Sequence, residues 1–210
     1  MKINDGSKLI EKDFERYLLN LGYTFKYEQE VQGKFPDYHV YAGEKLLCIC
    51  EVKYFEESEK TKQQMRECLG NEIDFIQYES HKRIKEKINQ AEAQFPRKCA
   101  HPCVLVLSPC CEPVDEDDII NAFFGEIYYS VGMADKILRH HHHKGAKLRR
   151  DLCTRVSALS IFELVEPPQT KTYHNPFAIR KFRKEIFNGK NDKHFEAQFQ
   201  NGVWSFSEVL

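Results

Sequence analysis

Two carboxylates and an amine lie along one stretch of this chain at a spacing that suits catalysis. Asp37 follows a proline, and Glu51 and Lys53 come fourteen and sixteen residues later. Alternate side chains of an extended strand project to the same face, so Glu51 and Lys53 would project together. Leu47 and Ile49 would share that face. Asp37 would begin the neighbouring strand, close enough across the pair to share a site with Glu51.

These residue types suit the hydrolysis of a phosphodiester. Such a substrate is anionic and resists hydroxide, so hydrolysis needs charge neutralisation and a water made nucleophilic near pH 7. Asp37 and Glu51 could hold Mg²⁺ while leaving sites for water and a phosphate oxygen, and Mn²⁺ could substitute for it. Lys53 could then orient or activate the water and stabilise the developing charge.

The segment around these residues predicts a β-hairpin. β-Branched and aromatic residues stand on both sides of a glycine-containing turn at 42–45. Cys48, Cys50 and Val52 would then face the core. Because a Pro-Asp followed by Glu-x-Lys arises by chance in about one chain in a few tens of this length, its meaning depends on the flanking segments.

A helix is predicted upstream of Asp37. Ser7 is the expected N-cap, and Gly22 is the expected stop. Between them apolar residues recur at helical spacing, at Ile10, Phe14, Tyr17, Leu18 and Leu21.

With this helix ahead of the hairpin, the chain resembles the PD-(D/E)xK nuclease superfamily, whose fold many restriction endonucleases and junction resolvases share. Members often carry Glu-x-x-Phe-x-x-x-Leu-x-x-x-Gly before the aspartate strand, a pattern filled here by Glu11, Phe14, Leu18 and Gly22. The resemblance implies that Glu11 holds a second metal or orders a water, with Glu15 as the alternative. It also implies the Val52 carbonyl as a third metal ligand.

A second helix is predicted downstream, over residues 80–95. Its apolar face would carry Ile84, Ile88, Ala91 and Phe95. Superfamily members often carry Ile-x-x-Ala-x-x-Gln beside the metal site, and Gln94 ends a match to that pattern. The resemblance implies that Gln94 hydrogen-bonds a water or a substrate phosphate. The apolar run at 104–107 then predicts a strand buried on both faces.

The order of these elements predicts an α/β fold with a central mixed β-sheet flanked by helices. The resemblance implies a restriction-endonuclease-like core over residues 7–108, with a C-terminal extension over 109–210, in a single nuclease domain spanning 1–210. In the extension we expect a short helix over 117–124 and strands over 125–131 and 157–165 that extend the sheet. The chain after Pro168 is expected to be a helical or loop elaboration.

The net charge is −1, whereas a protein that binds nucleic acid over its whole surface is strongly basic. The basic residues nevertheless cluster in the C-terminal half, and we expect these clusters to contact the phosphates of DNA, or of RNA. The candidates are Arg139, Lys147, Arg149, Arg150, Arg180, Lys181 and Arg183. An enzyme that cuts duplexes would favour a homodimer, because one site cleaves one strand.

Eight cysteines and a run of histidines raise the question of a metal centre. We expect a cytoplasmic protein with no membrane span and with reduced thiols, since no apolar run approaches the ~20 residues that cross a bilayer. Cys103 and Cys110 would flank a strand, too far apart to share an ion. Cys99, His101 and Cys103 lack the usual ligand pairing. His140 to His143 are expected in a flexible loop.

The residues and the resemblance together predict a Mg²⁺-dependent deoxyribonuclease of the restriction, repair or mobile-element defence type. Two other classes stay open. One is a catalytically silent or partner-dependent nucleic-acid-binding subunit on the same fold. The other is a zinc- or iron–sulfur-containing regulatory protein built around the cysteines.

Overall fold

The structure is a computed structural model that describes residues 5–55, 63, 80–109, 114–131, 137–142, 146–150 and 152–209. Within these residues the chain is an α/β protein with three helices and an eight-stranded mixed sheet. The helices are α1 (Asp5–Asn20), α2 (Ser80–Gln94) and α3 (Glu116–Phe124). None of these three helices has the length and apolar character needed to cross a membrane.

The described part of the chain forms ten strands. They are β1 (Thr24–Tyr27), β2 (Tyr38–Ala42), β3 (Lys45–Phe55), β4 (Cys103–Pro109), β5 (Glu126–Val131), β6 (Ile137–His142), β7 (Val156–Glu163), β8 (Gln169–His174), β9 (Lys193–Gln200) and β10 (Val203–Val209). The main sheet has the order β1-β2-β3-β4-β7-β8-β9-β10, and β5 pairs with β6 in a separate two-stranded sheet. The strands β3, β4 and β7 are parallel, so their carboxyl ends lie at the same end of the sheet.

The predicted hairpin is confirmed. β2 and β3 are antiparallel and connect through a turn in which Gly43 has a φ of 58°, a value that favours glycine. Cys48, Cys50 and Val52 are buried in one cluster, as expected. Leu47, which was expected on the face of Ile49, instead packs against that same cluster, because a register shift between Val40 and Tyr41 interrupts the alternation of side chains.

One face of the sheet is covered by α1 and by the segment between β8 and β9. Phe14 is fully buried, with its ring against Tyr38, Phe162 and Phe187. The predicted helix is thus confirmed, although Ser7 lies inside it and is not its N-cap. Gly6 packs so closely on Tyr54 that a methyl group there would lie 3.1 Å from the ring. The first turn of α1 is therefore held beside the carboxyl end of β3.

The other face is covered by α2 and α3. The predicted apolar face of α2 is confirmed, since Ile84, Ile88, Ala91 and Phe95 are all buried. The strand β4 is buried on both faces, as its apolar run predicts. Its alternate residues enter the two clusters, Val104 and Val106 on the α1 side and Leu105 and Leu107 on the α2 side.

Three expectations for the C-terminal half are wrong. The chain after Pro168 does not form only helices or loops, because β8, β9 and β10 continue the main sheet. The strand β5 does not extend that sheet. His140 to His142 lie in β6, paired with β5, and not in a loop, while His143 lies outside the described residues. Most side chains of β9 are exposed or half-buried, and many are polar. Its apolar alternation is therefore weak, which explains why the sequence did not predict this strand.

Asp192 ties the last part of the sheet to α1. Its Oδ1 accepts hydrogen bonds from the N–H of Thr170 at 2.6 Å and from the Thr170 hydroxyl at 3.0 Å. Its Oδ2 accepts from the N–H of Gly189 at 2.6 Å and from the Tyr17 hydroxyl at 2.8 Å. One carboxylate therefore joins β8, the loop before β9 and the helix that covers this face.

We expect Asp192→Ala to lower the free energy of unfolding by about 3 kcal/mol, because it leaves two backbone donors and a phenol without their charged acceptor. Urea unfolding followed by circular dichroism measures this. Asp13→Ala is the control, since Asp13 pairs with Arg16 at 3.0 Å on the surface and should cost less than about 1 kcal/mol. Equal losses in the two variants would contradict a tethering role for Asp192.

Candidate active site

Asp37 lies immediately before β2, at the point where that strand stops pairing with β3. The last pair of the hairpin at this end joins Tyr38 to Cys50. Asp37 Oδ2 accepts a hydrogen bond from the N–H of Val52 at 2.7 Å, and the N–H of Asp37 donates to Glu51 Oε2 at 3.4 Å. The end of β2 thus holds both carboxylates against the same edge of β3, as the sequence predicts.

Lys53 completes the group. Its Nζ lies 2.5 Å from Glu51 Oε1, and the side chain of Glu51 is only 3% exposed while that of Lys53 is 26% exposed. A carboxylate so deeply buried is stable in its charged form only when it is paired and hydrogen-bonded. Glu51 has both kinds of partner, and Lys53 remains accessible to a molecule that approaches from solvent.

Burial governs the protonation of both carboxylates. It raises the pKa of Asp37, a shift that the Val52 N–H and the charge of Lys53 oppose and that the charge of Glu28 reinforces. Burial also raises the pKa of Glu51, and the negative charge of Asp37 raises it further against the pull of Lys53. Two ionised carboxylates so close together that one raises the pKa of the other therefore cost free energy, which a bound cation would offset.

Of the two candidate acids on α1, Glu11 is the one whose pKa responds to the charges of Asp37 and Lys53. Its pKa is raised by partial burial, then by the charges of Asp37 and Glu15, and is lowered by Lys53. Glu11 thus shares the electrostatic environment of the predicted triad. Glu15 has a different partner, because its carboxylate accepts a hydrogen bond from the Tyr38 hydroxyl at 3.1 Å.

Two residues at the site were missed by the sequence reasoning. Glu28 follows β1 with a φ of 45°, and its N–H donates to the carbonyl of Asp37 at 3.0 Å. Tyr27 packs edge-on against Tyr38, and its pKa is raised to about 12 by burial and by the charges of Glu11, Glu28 and Asp37. Only the pairing of β1 with β2 brings them here, and no short motif in the sequence indicates that pairing.

The oxygen atoms that could hold a cation come from Asp37, Glu51 and the backbone of Val52. The N–H and C=O of one residue in an extended strand point to the same side, so the Val52 carbonyl faces the edge where its N–H meets Asp37. Carboxylate and carbonyl oxygens suit Mg²⁺, which keeps several waters when bound. Among the described residues no three His, Cys, Asp or Glu groups are arranged to hold one metal ion, so Glu11 does not complete such a group.

Gln94 is not brought to the carboxylates. It is exposed in the last turn of α2, near the amino ends of β4 and β7. The same turn is anchored by Arg155, which pairs with Glu92 at 2.6 Å and donates to the Phe95 carbonyl at 2.7 Å. In the part of the chain that the structure describes, no contact joins Gln94 to the carboxylates, and its role in binding stays a prediction.

The predicted phosphate-binding residues Arg180, Lys181 and Arg183 line a groove at the other end of β3. This groove has a volume of about 1160 Å³. The lysine and arginine side chains on its walls are Lys45, Arg180, Lys181, Arg183 and Lys184, with His101 beside them and with Glu185 and Glu196 as the acids. Lys45 and Leu47 lie six and four residues before Glu51, so the groove is about 13–20 Å from the carboxylates at ~3.3 Å per residue.

The other predicted phosphate-binding residues do not line this groove. Lys147 donates its N–H to the Ala122 carbonyl at the end of α3. Arg149 and Arg150 are exposed beside an apolar pocket of about 310 Å³ that Trp204 lines. Arg139 lies in β6, opposite Tyr129. Arg149 and Arg150 thus line a different pocket from Arg180, Lys181 and Arg183, and Asp37 lines neither.

The cysteines form no disulfide among the five that the structure describes, namely Cys48, Cys50, Cys99, Cys103 and Cys153. Cys110 and Cys111 lie outside the described residues.

No family model, no curated protein and no solved structure matches this chain. A functional proposal therefore rests on the geometry of Asp37, Glu51 and Lys53.

We expect Asp37→Asn to stabilise the metal-free protein near neutral pH while keeping the acceptor for the Val52 N–H. The raised pKa means that the folded state holds its proton to higher pH than the unfolded state does. Wild-type stability should therefore fall as pH rises from the ordinary carboxyl range near ~4 through the raised pKa, and the variant should lack the part of this loss that comes from Asp37.

Melting temperatures from pH 4 to pH 8 in EDTA would show the two proteins alike at the acidic end and the variant more stable at the alkaline end. Glu30→Gln, which removes an exposed carboxylate beyond β1, is the control and should leave the wild-type profile unchanged. A variant that is less stable at every pH would show that the Asp37 carboxylate stabilises the metal-free fold and would contradict the prediction.

Proposed function

We propose that this chain is a Mg²⁺-dependent nuclease that hydrolyses DNA phosphodiester bonds through a PD-(D/E)xK-type site on a restriction-endonuclease-like core. The observation that carries the proposal is the convergence of three residues. Asp37 and Glu51 meet through two hydrogen bonds that run between the end of β2 and β3, and Lys53 contacts Glu51. Two carboxylates and an amine at one strand edge are the groups that metal-assisted phosphoryl transfer needs.

Asp37 and Glu51 would hold the metal, with the Val52 carbonyl as a further oxygen ligand. When bound, Mg²⁺ would neutralise phosphate charge and make a water acidic enough to react near pH 7. The Val52 N–H fixes the Asp37 carboxylate, and Lys53 fixes that of Glu51, so the ligands are oriented before a cation arrives. Because the edge of β3 already orients the two carboxylates, less conformational freedom is lost when a cation binds.

Lys53 would orient the attacking water and stabilise charge on the phosphate. An ammonium has three N–H donors, so it can contact Glu51 and still donate to a water or a phosphate oxygen. Its partial exposure allows that contact. Glu11, on the α1 side, adds negative charge next to Asp37 and increases the preference of the site for a cation.

The distant groove supports a polymeric substrate. Phosphates follow one another at ~3.4 Å per step along each strand of a duplex, so a span of about 13–20 Å corresponds to about four to six nucleotides. One duplex could therefore reach the carboxylates and the groove lined by Arg180 and Arg183 at once. A mononucleotide could not, which favours a nucleic acid over a small phosphoester.

We expect Lys53→Ala to lower the rate of plasmid nicking by about 10²-fold or more, because the substitution removes a charge aimed at the transition state. Supercoiled plasmid in Mg²⁺ or Mn²⁺ at low salt is the assay, with Asp37→Ala and Glu51→Ala run beside it. Lys171→Ala is the matched control, since Lys171 is also a strand lysine paired with a glutamate, Glu163, at 2.6 Å.

Cleavage that survives Lys53→Ala would remove the role assigned to this residue. If wild-type protein leaves DNA intact and cleaves RNA, the substrate class is wrong but the site stands. If neither polymer is cut while both are bound, the chain is the catalytically silent or partner-dependent subunit and not an enzyme by itself.

We expect Arg183→Glu to weaken DNA binding by the metal-free protein and to reduce its dependence on salt. Each phosphate contact contributes about 0.9 to the slope of log K against log salt concentration for B-DNA, so the loss of one contact should lower the slope by about that amount. Fluorescence anisotropy of a labelled duplex in EDTA, between 50 and 200 mM salt, measures it.

Lys190→Glu makes the same charge change on an exposed residue that does not line the groove, and it should leave the slope unchanged. If both variants changed the slope equally, DNA binding would depend only on the net charge of the protein, and the groove would not contact the duplex.

A further inference from the structure

Two cysteines lie together where the chain enters β4. Cys99 is half-buried and Cys103 is only 1% exposed. Both line one small cavity of about 20 Å³. The Cys103 thiol also lies 3.8 Å from the carbonyl of His101, between them in sequence. This dithiol lies away from the carboxylate site and has no part in the proposed hydrolysis.

The surroundings of Cys99 favour its thiolate. Three guanidinium groups, those of Arg97, Arg155 and Arg180, line the same cavity, and Arg155 is the one that already pairs with a carboxylate, that of Glu92. The pKa of Cys99 is lowered to about 6, first by the Cys103 thiol, then by the His101 backbone and by the charge of Arg180, all against the effect of burial. The pKa of Cys103 is raised by the neighbouring Cys99 side chain and by burial.

The other described thiols do not share this environment. Cys48 and Cys50 have their sulfur atoms 3.7 Å apart, but both are fully buried in the core. Burial raises the pKa of Cys153 to about 11. Reactivity of a thiol requires both a thiolate and access, so Cys99 alone among these five combines the two.

We propose that Cys99 and Cys103 form a site of reversible oxidation, at which hydrogen peroxide converts the two thiols to a disulfide. Cys99 is the attacking thiol, since it has access to solvent. Cys103 is the resolving thiol, since it lines the same small cavity as Cys99 and is shielded from direct attack. A cavity of this volume admits a molecule of about the size of water, which suits a small neutral oxidant and excludes bulky disulfides.

The reaction takes two steps. The Cys99 thiolate attacks one oxygen of the peroxide, the O–O bond breaks and hydroxide leaves, which gives a sulfenic acid on Cys99. Cys103 then loses its proton and attacks the Cys99 sulfur, the S–S bond forms, and the S–O bond breaks as water leaves. In total the two thiols lose two electrons and two protons, and one peroxide becomes two waters.

The test treats fully reduced protein at pH 7 with stoichiometric hydrogen peroxide, blocks the remaining thiols with iodoacetamide and maps the peptides by mass spectrometry. The protein carries Cys110→Ser and Cys111→Ser, so that the tryptic peptide after Lys98 contains only Cys99 and Cys103. We expect this peptide to lose two hydrogens and to escape alkylation, and dithiothreitol to restore both thiols. Cys153 should react at least tenfold more slowly.

Two single variants separate the roles. With Cys103→Ser, Cys99 should accumulate as a sulfenic acid that dimedone traps, because its resolving thiol is gone. With Cys99→Ser, Cys103 should stay reduced. Circular dichroism of each variant checks that it is folded. If either variant does not fold, the test rests on the protein that keeps both Cys99 and Cys103. Oxidation of Cys153 at the rate of Cys99, or a disulfide between two copies of the chain in place of the internal one, would overturn the proposal.

Discussion

The hydrogen bond from the Val52 N–H to Asp37 is the contact on which the site depends, because it forms where β2 has stopped pairing with β3. A carboxylate takes the place that the next backbone carbonyl of β2 would occupy in a continued ladder. This substitution keeps the edge of β3 satisfied and places Asp37 beside Glu51 without a loop that must fold separately. The geometry of the Asp37–Glu51 pair is therefore set by the pairing of β2 with β3.

The same geometry is costly in the absence of a cation. Burial disfavours the charged forms of Asp37 and Glu51, and Glu11 and Glu28 add negative charge around them. Lys53 offsets only part of this. An arrangement that places several acids together with one amine weakens the folded protein unless positive charge is supplied, and functional sites commonly carry such a cost.

The sheet separates two kinds of surface. The carboxyl ends of β3 and β4 carry the acidic group, and the amino ends carry the cationic groove and the dithiol of Cys99 and Cys103. Arg180 and His101 line both the groove and the cavity of the dithiol. The loss of a thiolate upon oxidation would therefore make the wall of the groove more positive, which joins the redox site to the surface that we assign to phosphate binding.

The local pattern of apolar and turn residues was sufficient to predict α1, the β2–β3 hairpin, α2 and β4. Each of these elements has a strong apolar period and contacts its neighbours in sequence order. The same pattern located Asp37, Glu51 and Lys53, since residue alternation on paired strands follows from backbone geometry alone. The pattern could not place Glu28 or Tyr27 at the site, because their positions depend on the pairing of β1 with β2. It also could not show that Gln94 lies near the amino ends of β4 and β7, because that depends on the direction of α2. Only the tertiary structure determined three further features, because it brings together residues that no local period connects. They are the half-exposed strands β9 and β10, the separate β5–β6 pair and the cavity around Cys99.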